Sequence, residues 1–88
     1  MIIKTTKDFQ KSFKTRIANY PNLVKRFDDR LRLFTVNRWS PVLRDHPLGG
    51  RMKGSRSFSM NGDIRIVYRE NNNGDVWLLD IGSHNQVY

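Results

Sequence analysis

Two histidines, an aspartate and a run of guanidinium groups recur along the second half of this 88-residue chain. Their types suit acid–base chemistry on a phosphodiester. His46 stands in Arg44-Asp45-His46-Pro47-Leu48 and His84 in Gly82-Ser83-His84-Asn85-Gln86-Val87-Tyr88. Between them lie Asp63 and Arg65, in Gly62-Asp63-Ile64-Arg65-Ile66-Val67-Tyr68, and the basic residues Arg51, Lys53 and Arg56. An imidazole titrates close to neutrality and can take or give a proton. A guanidinium can hold a phosphate through two parallel hydrogen bonds. Each residue also has a plainer reading. Either histidine alone fits a surface or packing position, Arg65 an exposed strand arginine paired with Asp63 or Glu70, and Arg51, Lys53 and Arg56 a solvated loop. Two histidines without further ligands at suitable spacing call for no metal. No phosphate-binding glycine loop, serine-nucleophile motif or dinucleotide fingerprint is present, so no cofactor is expected.

The bulk properties narrow the setting. The length allows one domain with a single modest core. The absence of cysteine excludes a disulfide framework and a thiolate metal site. No apolar run has the length of a membrane span, and the N-terminus has no apolar signal-peptide core, so a cytoplasmic protein is expected. The formal charge is +8 and unevenly spread. Residues 1–40 carry ten Lys/Arg against three Asp, while residues 41–88 carry six against five acids. Such a field draws polyanions, above all nucleic acid, and equally suits an acidic protein partner that masks it.

The elements that must position these residues follow from periodicity. Residues 2–5 read as a short strand. Thr6 suits a helix N-cap with Asp8 in the first turn. Phe9, Phe13, Ile17 and Tyr20 then trace a helical stripe over residues 7–19. Pro21 forces a break, and Leu23, Phe27, Leu31 and Phe34 trace a second stripe over 23–36. Residues 37–54, punctuated by proline and glycine, read as a long irregular connection. Ser55–Met60, Ile64–Glu70 and Val76–Ser83 read as strands, with Gly74 at a positive-φ hairpin position. The expected architecture is a single α+β domain over residues 1–88 of order β-α-α-β-β-β. A helical hairpin packs on one face of a twisted antiparallel sheet and leaves the other face open.

His46-Pro47-Leu48, Lys53-Gly54, Gly62 through Tyr68 and Ile81 through Tyr88, in that order, make the chain resemble the RelE/ParE toxin superfamily. The likeness is greatest to its RelE/StbE and YafQ-like members. The resemblance implies a microbial-ribonuclease-like fold and the toxin of a type II toxin–antitoxin pair. Such a toxin cuts messenger RNA on the ribosome and is neutralised by its antitoxin. It also implies residue roles. His46 matches the histidine of the His-Pro-Leu motif, Asp63 the aspartate before the following strand, and His84 the histidine near the C-terminus, all catalytic positions in the YafQ branch. Arg65 matches the strand arginine of the RelE-like branch. Two positions depart from the YafQ pattern: Ser59 replaces a histidine and Ile64 a tryptophan. The ParE branch, which poisons DNA gyrase without cutting RNA, is the alternative function.

The expected partners are a cognate antitoxin, acidic where it meets this chain, together with the ribosome and messenger RNA. The basic helices would meet ribosomal RNA, and no membrane is involved.

Overall fold

A computed structural model describes residues 1–88. The chain runs through strand β1 (Ile3–Thr5), helix α1 (Lys7–Arg16), helix α2 (Pro21–Val36), strand β2 (His46–Pro47), strands β3 (Arg56–Ser59), β4 (Ile64–Glu70) and β5 (Val76–Ser83), and a terminal helical turn, α3 (His84–Val87). Single 3₁₀ turns at Pro41–Leu43 and Gly50–Met52 flank β2. No helix is long and apolar enough to cross a membrane.

Local chemistry sets the helix ends. The Phe9 N–H donates to Thr6 Oγ1 at 3.0 Å, satisfying one orphan donor of the first turn. Thr6 N–H in turn donates to the Leu78 carbonyl, fastening the start of α1 to β5. α1 stops at Arg16, with Ile17 as its C-cap, and Pro21 opens α2 where a missing N–H costs nothing. Because α1 ends there, Tyr20 leaves the apolar stripe and is 57% exposed. The rest of both stripes is inward. Phe13 meets Phe27 edge to face at 5.0 Å, and Phe34 stacks on Phe58 of the sheet at 4.6 Å.

The sheet has order β1-β5-β4-β3-β2. It departs from the expected all-antiparallel pattern at one edge, where β1 runs parallel to β5 in the register Ile3↔Val76. The other pairs are antiparallel. Opposite Val67 and Tyr68 the register slips, from Val67↔Asp80 to Tyr68↔Leu78, which makes Leu79 an extra residue in β5. The bulge lets Leu78 and Ile81, three positions apart, both join the core with Phe58, Ile66 and Tyr68. β2 was hidden in the sequence because it is two residues long. Pro47, which has no N–H to donate, is tolerated there because the strand is an edge.

The second face of the sheet is not left fully open, as the sequence had suggested. Ser57 and Val67 are paired across β3 and β4 and alternate away from the helical core. Both are fully buried, because α3 folds back over β4 and β5. The Ser83 N–H donates to Gln86 Oε1 at 2.7 Å, which stabilises the entry to this short turn.

A buried polar cluster ties the connection between α2 and β2 to the sheet. The Asp45 side chain is 1% exposed. It accepts from Arg56 Nε at 2.7 Å and from the Tyr68 hydroxyl. Arg38 donates to the Tyr68 hydroxyl at 2.7 Å and pairs with Glu70 at 3.0 Å. Trp39 receives the guanidiniums of Arg38 and Arg56 on its ring. Burial opposes the charge on Arg56, but the hydrogen bond and charge of Asp45 outweigh it and hold the guanidinium above its ordinary value. Burial, with the hydrogen bond and charge of Asp45, pushes the Tyr68 phenol well above its own.

That last shift predicts a pH dependence. The unfolded chain releases the Tyr68 proton near the ordinary tyrosine value of about 10, whereas the folded chain holds it to higher pH. The folded state then binds more protons, so the stabilisation is complete below about pH 10 and is lost as pH rises beyond it. Urea unfolding should show this alkaline loss in the native protein and a smaller one in Tyr68→Phe. At neutral pH the variant should be less stable by about 1–3 kcal/mol, the cost of removing a bond to a buried charged group. An identical alkaline profile in the two proteins would contradict the assignment.

Candidate active site

His46 is placed by its two neighbours. Arg44 is the only non-glycine residue with positive φ, at φ 50 and ψ 40, closing the Pro41–Leu43 turn. That conformation costs roughly 1–2 kcal/mol for an L-residue. It brings the Arg44 carbonyl to 2.8 Å from His46 Nδ1. A carbonyl only accepts, so Nδ1 is the donor, and in the neutral form of this exposed ring Nε2 is the acceptor. Asp45 turns into the buried cluster, and in an extended segment the next side chain turns the other way.

Register carries the arrangement across the sheet. His46 pairs with Ser57, Ser57 with Val67, and Val67 with Asp80. One step along, Ser59 pairs with Arg65 and Arg65 with Gly82. His84 follows two residues after Gly82, at the first position of α3. Its ring meets that of Tyr88 edge to face at 4.7 Å, and the Tyr88 hydroxyl donates to Ser57 Oγ at 2.5 Å. The two histidines, 38 positions apart in sequence, are thus linked through Tyr88 and Ser57. Gly82 lies close beneath this closure. A Cβ there would lie 2.7 Å from both Arg16 Nη1 and Gln86 Oε1.

Arg65 pairs with neither Asp63 nor Glu70. Its Nη1 donates to the Asn61 carbonyl at 3.2 Å, and no carboxylate neutralises it. Asp63 sits at the rim, exposed on the turn between β3 and β4. That turn is held by Asn61 Oδ1, which accepts from the Asp63 and Ile64 N–H groups at 2.8 and 2.7 Å. Arg51 and Lys53 are exposed beyond β2. Arg56 does not join them, because its guanidinium is committed to Asp45 and stacked on Trp39. Sequence reasoning passed over Ser57, Tyr88 and Arg44. The signal for Tyr88 was its spacing of four from His84, which places both on one side of a helical turn.

Chemically, the face presents an exposed imidazole with a free acceptor nitrogen, an uncompensated guanidinium and a second exposed imidazole. Groups of these types can exchange protons and stabilise an anion. No three His, Cys, Asp or Glu side chains converge to hold a metal ion.

Comparison with known proteins identifies the family. A family model described as the bacterial toxin of a type II toxin–antitoxin system, YafQ, matches residues 1–88. No curated protein sequence matches the chain. Among solved structures, YafQ from E. coli superposes with a TM-score of 0.80 at 20% identity, covering 98% of this chain and 96% of that one. The E. coli DinJ–YafQ complex gives 0.79 at 20% identity, with 98% and 96% covered. A metal-bound toxin from Helicobacter pylori gives 0.78 at 28% identity, with 100% and 99% covered. The fold is that of the RelE-like superfamily, and the chain belongs to the YafQ family of bacterial toxins from type II toxin–antitoxin systems.

Proposed function

We propose that this toxin is an endoribonuclease that cuts messenger RNA on the ribosome by attack of the 2′-hydroxyl next to the scissile phosphate, with no metal. The observation that carries the reading is the 2.8 Å contact of His46 Nδ1 with the Arg44 carbonyl, which in the neutral ring leaves the exposed Nε2 as the acceptor. His46 Nε2 removes the 2′-hydroxyl proton. The 2′-oxygen bonds to phosphorus to give a 2′,3′-cyclic phosphate, and the 5′-oxygen leaves with a proton from His84. Arg65, free of any carboxylate, takes the charge that builds on the phosphorane. Tyr88 positions His84, and Ser57 positions Tyr88. Asp63 on the rim is the second candidate base, and Arg51 and Lys53 extend the basic surface along the strand.

Ser59 and Ile64 favour a second reading, a gyrase poison of the ParE type, because they remove a proton carrier and a stacking surface from the set that resemblance supplied. Primer extension after induced expression separates the two. New 5′ ends within translated messages support the nuclease, and DNA breaks with intact messages support the poison.

A positioned acid or base contributes ~100- to 10,000-fold, so His46→Ala and His84→Ala should each slow cleavage on programmed ribosomes by that order. Arg65→Ala should cost about 3–4 kcal/mol of transition-state stabilisation, the scale of removing an oxyanion donor. Near-native cleavage by folded His84→Ala and Arg65→Ala proteins would remove this mechanism.

The antitoxin follows from the same reading, and E. coli YafQ is seen in complex with DinJ. The +8 charge of this chain calls for an acidic contact surface, steered by long-range attraction. Stopped-flow association with the neighbouring gene product should slow by about an order of magnitude or more as salt rises from about 50 to about 500 mM. A salt-independent on-rate would exclude electrostatic steering.

A further inference from the structure

A concave pocket of about 350 Å³ opens at the end of β3, where Ser59, the register partner of Arg65, leads into the β3–β4 turn. Arg26, Arg30 and Arg44 line it together with Ser59 and Asn61. Arg26 and Arg30 stand four residues apart on α2 and so project from one side of the helix. Arg44 comes from the strained residue whose carbonyl orients His46. Arg30 Nε donates to the Met60 carbonyl at 3.3 Å, which holds that guanidinium at the pocket and leaves its terminal nitrogens without protein partners. None of the three arginines belongs to an ion pair; the four pairs of the molecule use Lys4, Arg16, Arg38 and Arg56. Asp29 lines the adjoining cleft with Lys25, Arg26 and Arg30 and still pairs with none of them. Three like charges gathered around a concavity repel one another unless an anion sits between them.

We propose that Arg26, Arg30 and Arg44 form a subsite for a backbone phosphate of the RNA, next along the strand from the scissile bond. The proposal rests on the nuclease reading for the identity of its ligand. Continuity supports it: Ser59 is the register partner of Arg65, and the Asn61 carbonyl receives the Arg65 guanidinium. A strand held at Arg65 therefore reaches the pocket by passing these two residues. Planar guanidiniums match phosphate oxygens through paired bonds. No aromatic ring lines the pocket, so it offers nothing for a base to stack on. The subsite accordingly grips the backbone and does not read sequence.

The test is binding of a short 2′-O-methyl RNA, in which the nucleophile is blocked, followed by NMR of the arginine Nε–Hε signals. The signals of Arg26, Arg30 and Arg44 should shift together and saturably, to the same extent with oligouridylate and oligoadenylate. Arg26→Gln/Arg44→Gln should weaken binding several-fold and reduce the slope of log K against log salt by about 0.7 for each phosphate that is no longer neutralised. A Lys7→Gln/Lys11→Gln protein, altered on exposed α1 positions, should be weakened less than the arginine variant. The subsite is overturned if the three signals stay still, if the two double variants behave alike, or if a polyglutamate peptide moves the signals and RNA does not. RNA that binds in the pocket of a protein unable to cut messages would keep the subsite and remove the nuclease reading. Cleavage on the ribosome with unmoved pocket signals would do the reverse.

Discussion

A carboxylate withdrawn from water has to be matched by cations and donors, and the buried Asp45 organises the candidate active face of this protein around that requirement. The strand that carries His46 has only two residues in the sheet and a proline as one of them, so its ladder alone is a weak anchor. Asp45 supplies the rest by joining Arg56 of β3 and Tyr68 of β4, while Arg38 closes the cluster from the end of α2. Breaking a pair of this kind by removing one partner costs on the order of 3–5 kcal/mol, because the other is left buried and unmatched. The pairing also has a directional consequence. With Asp45 turned inward, His46 is turned outward, and the strained Arg44 aims a carbonyl at its Nδ1.

The other half of the site is set at the opposite end of the sheet by crowding. The extra residue in β5 keeps Leu78 and Ile81 in the core while Gly82 passes beneath α3. Arg16 reaches the same point from α1, donating to the Ile81 carbonyl at 2.9 Å and to Asp80 at 3.4 Å. A Cβ at position 82 would meet the movable ends of Arg16 and Gln86, and from this point the chain turns over the sheet into α3 and brings His84 back toward the His46 side. Val87 and Val67 are buried by that turn, and Tyr88 reaches Ser57. The polar site thus rests on a small apolar contact made by the last few residues.

What was legible in the sequence follows from the range of the forces involved. Phe9, Phe13, Phe27 and Phe34 announced the helices because a helical stripe is a local pattern. Tyr20 misled because it continued the spacing after the helix had ended at Arg16. β4 and β5 were legible through alternation, but the bulge at Leu79 was not, since it exists only relative to a partner strand. The candidates His46, Arg65 and His84 were proposed on their chemical types alone. Arg56 read as either an RNA phosphate contact or part of a solvated loop because its partner, Asp45, lies eleven positions earlier and is brought to it only by the β2–β3 pairing. Ser57 and Tyr88 carried no sign of their bond, which spans 31 positions and joins two otherwise ordinary hydroxyls.

The central claim is that this face takes a proton from a 2′-hydroxyl so that the RNA itself is the nucleophile. The most direct measurement uses a message on programmed ribosomes in which the single nucleotide 5′ of the cleaved bond is replaced by its 2′-deoxy counterpart. The account predicts that cleavage at that bond is abolished, while the unmodified message yields a 2′,3′-cyclic phosphate and a 5′-hydroxyl end. Cleavage of the deoxy-substituted bond at the native rate would contradict it.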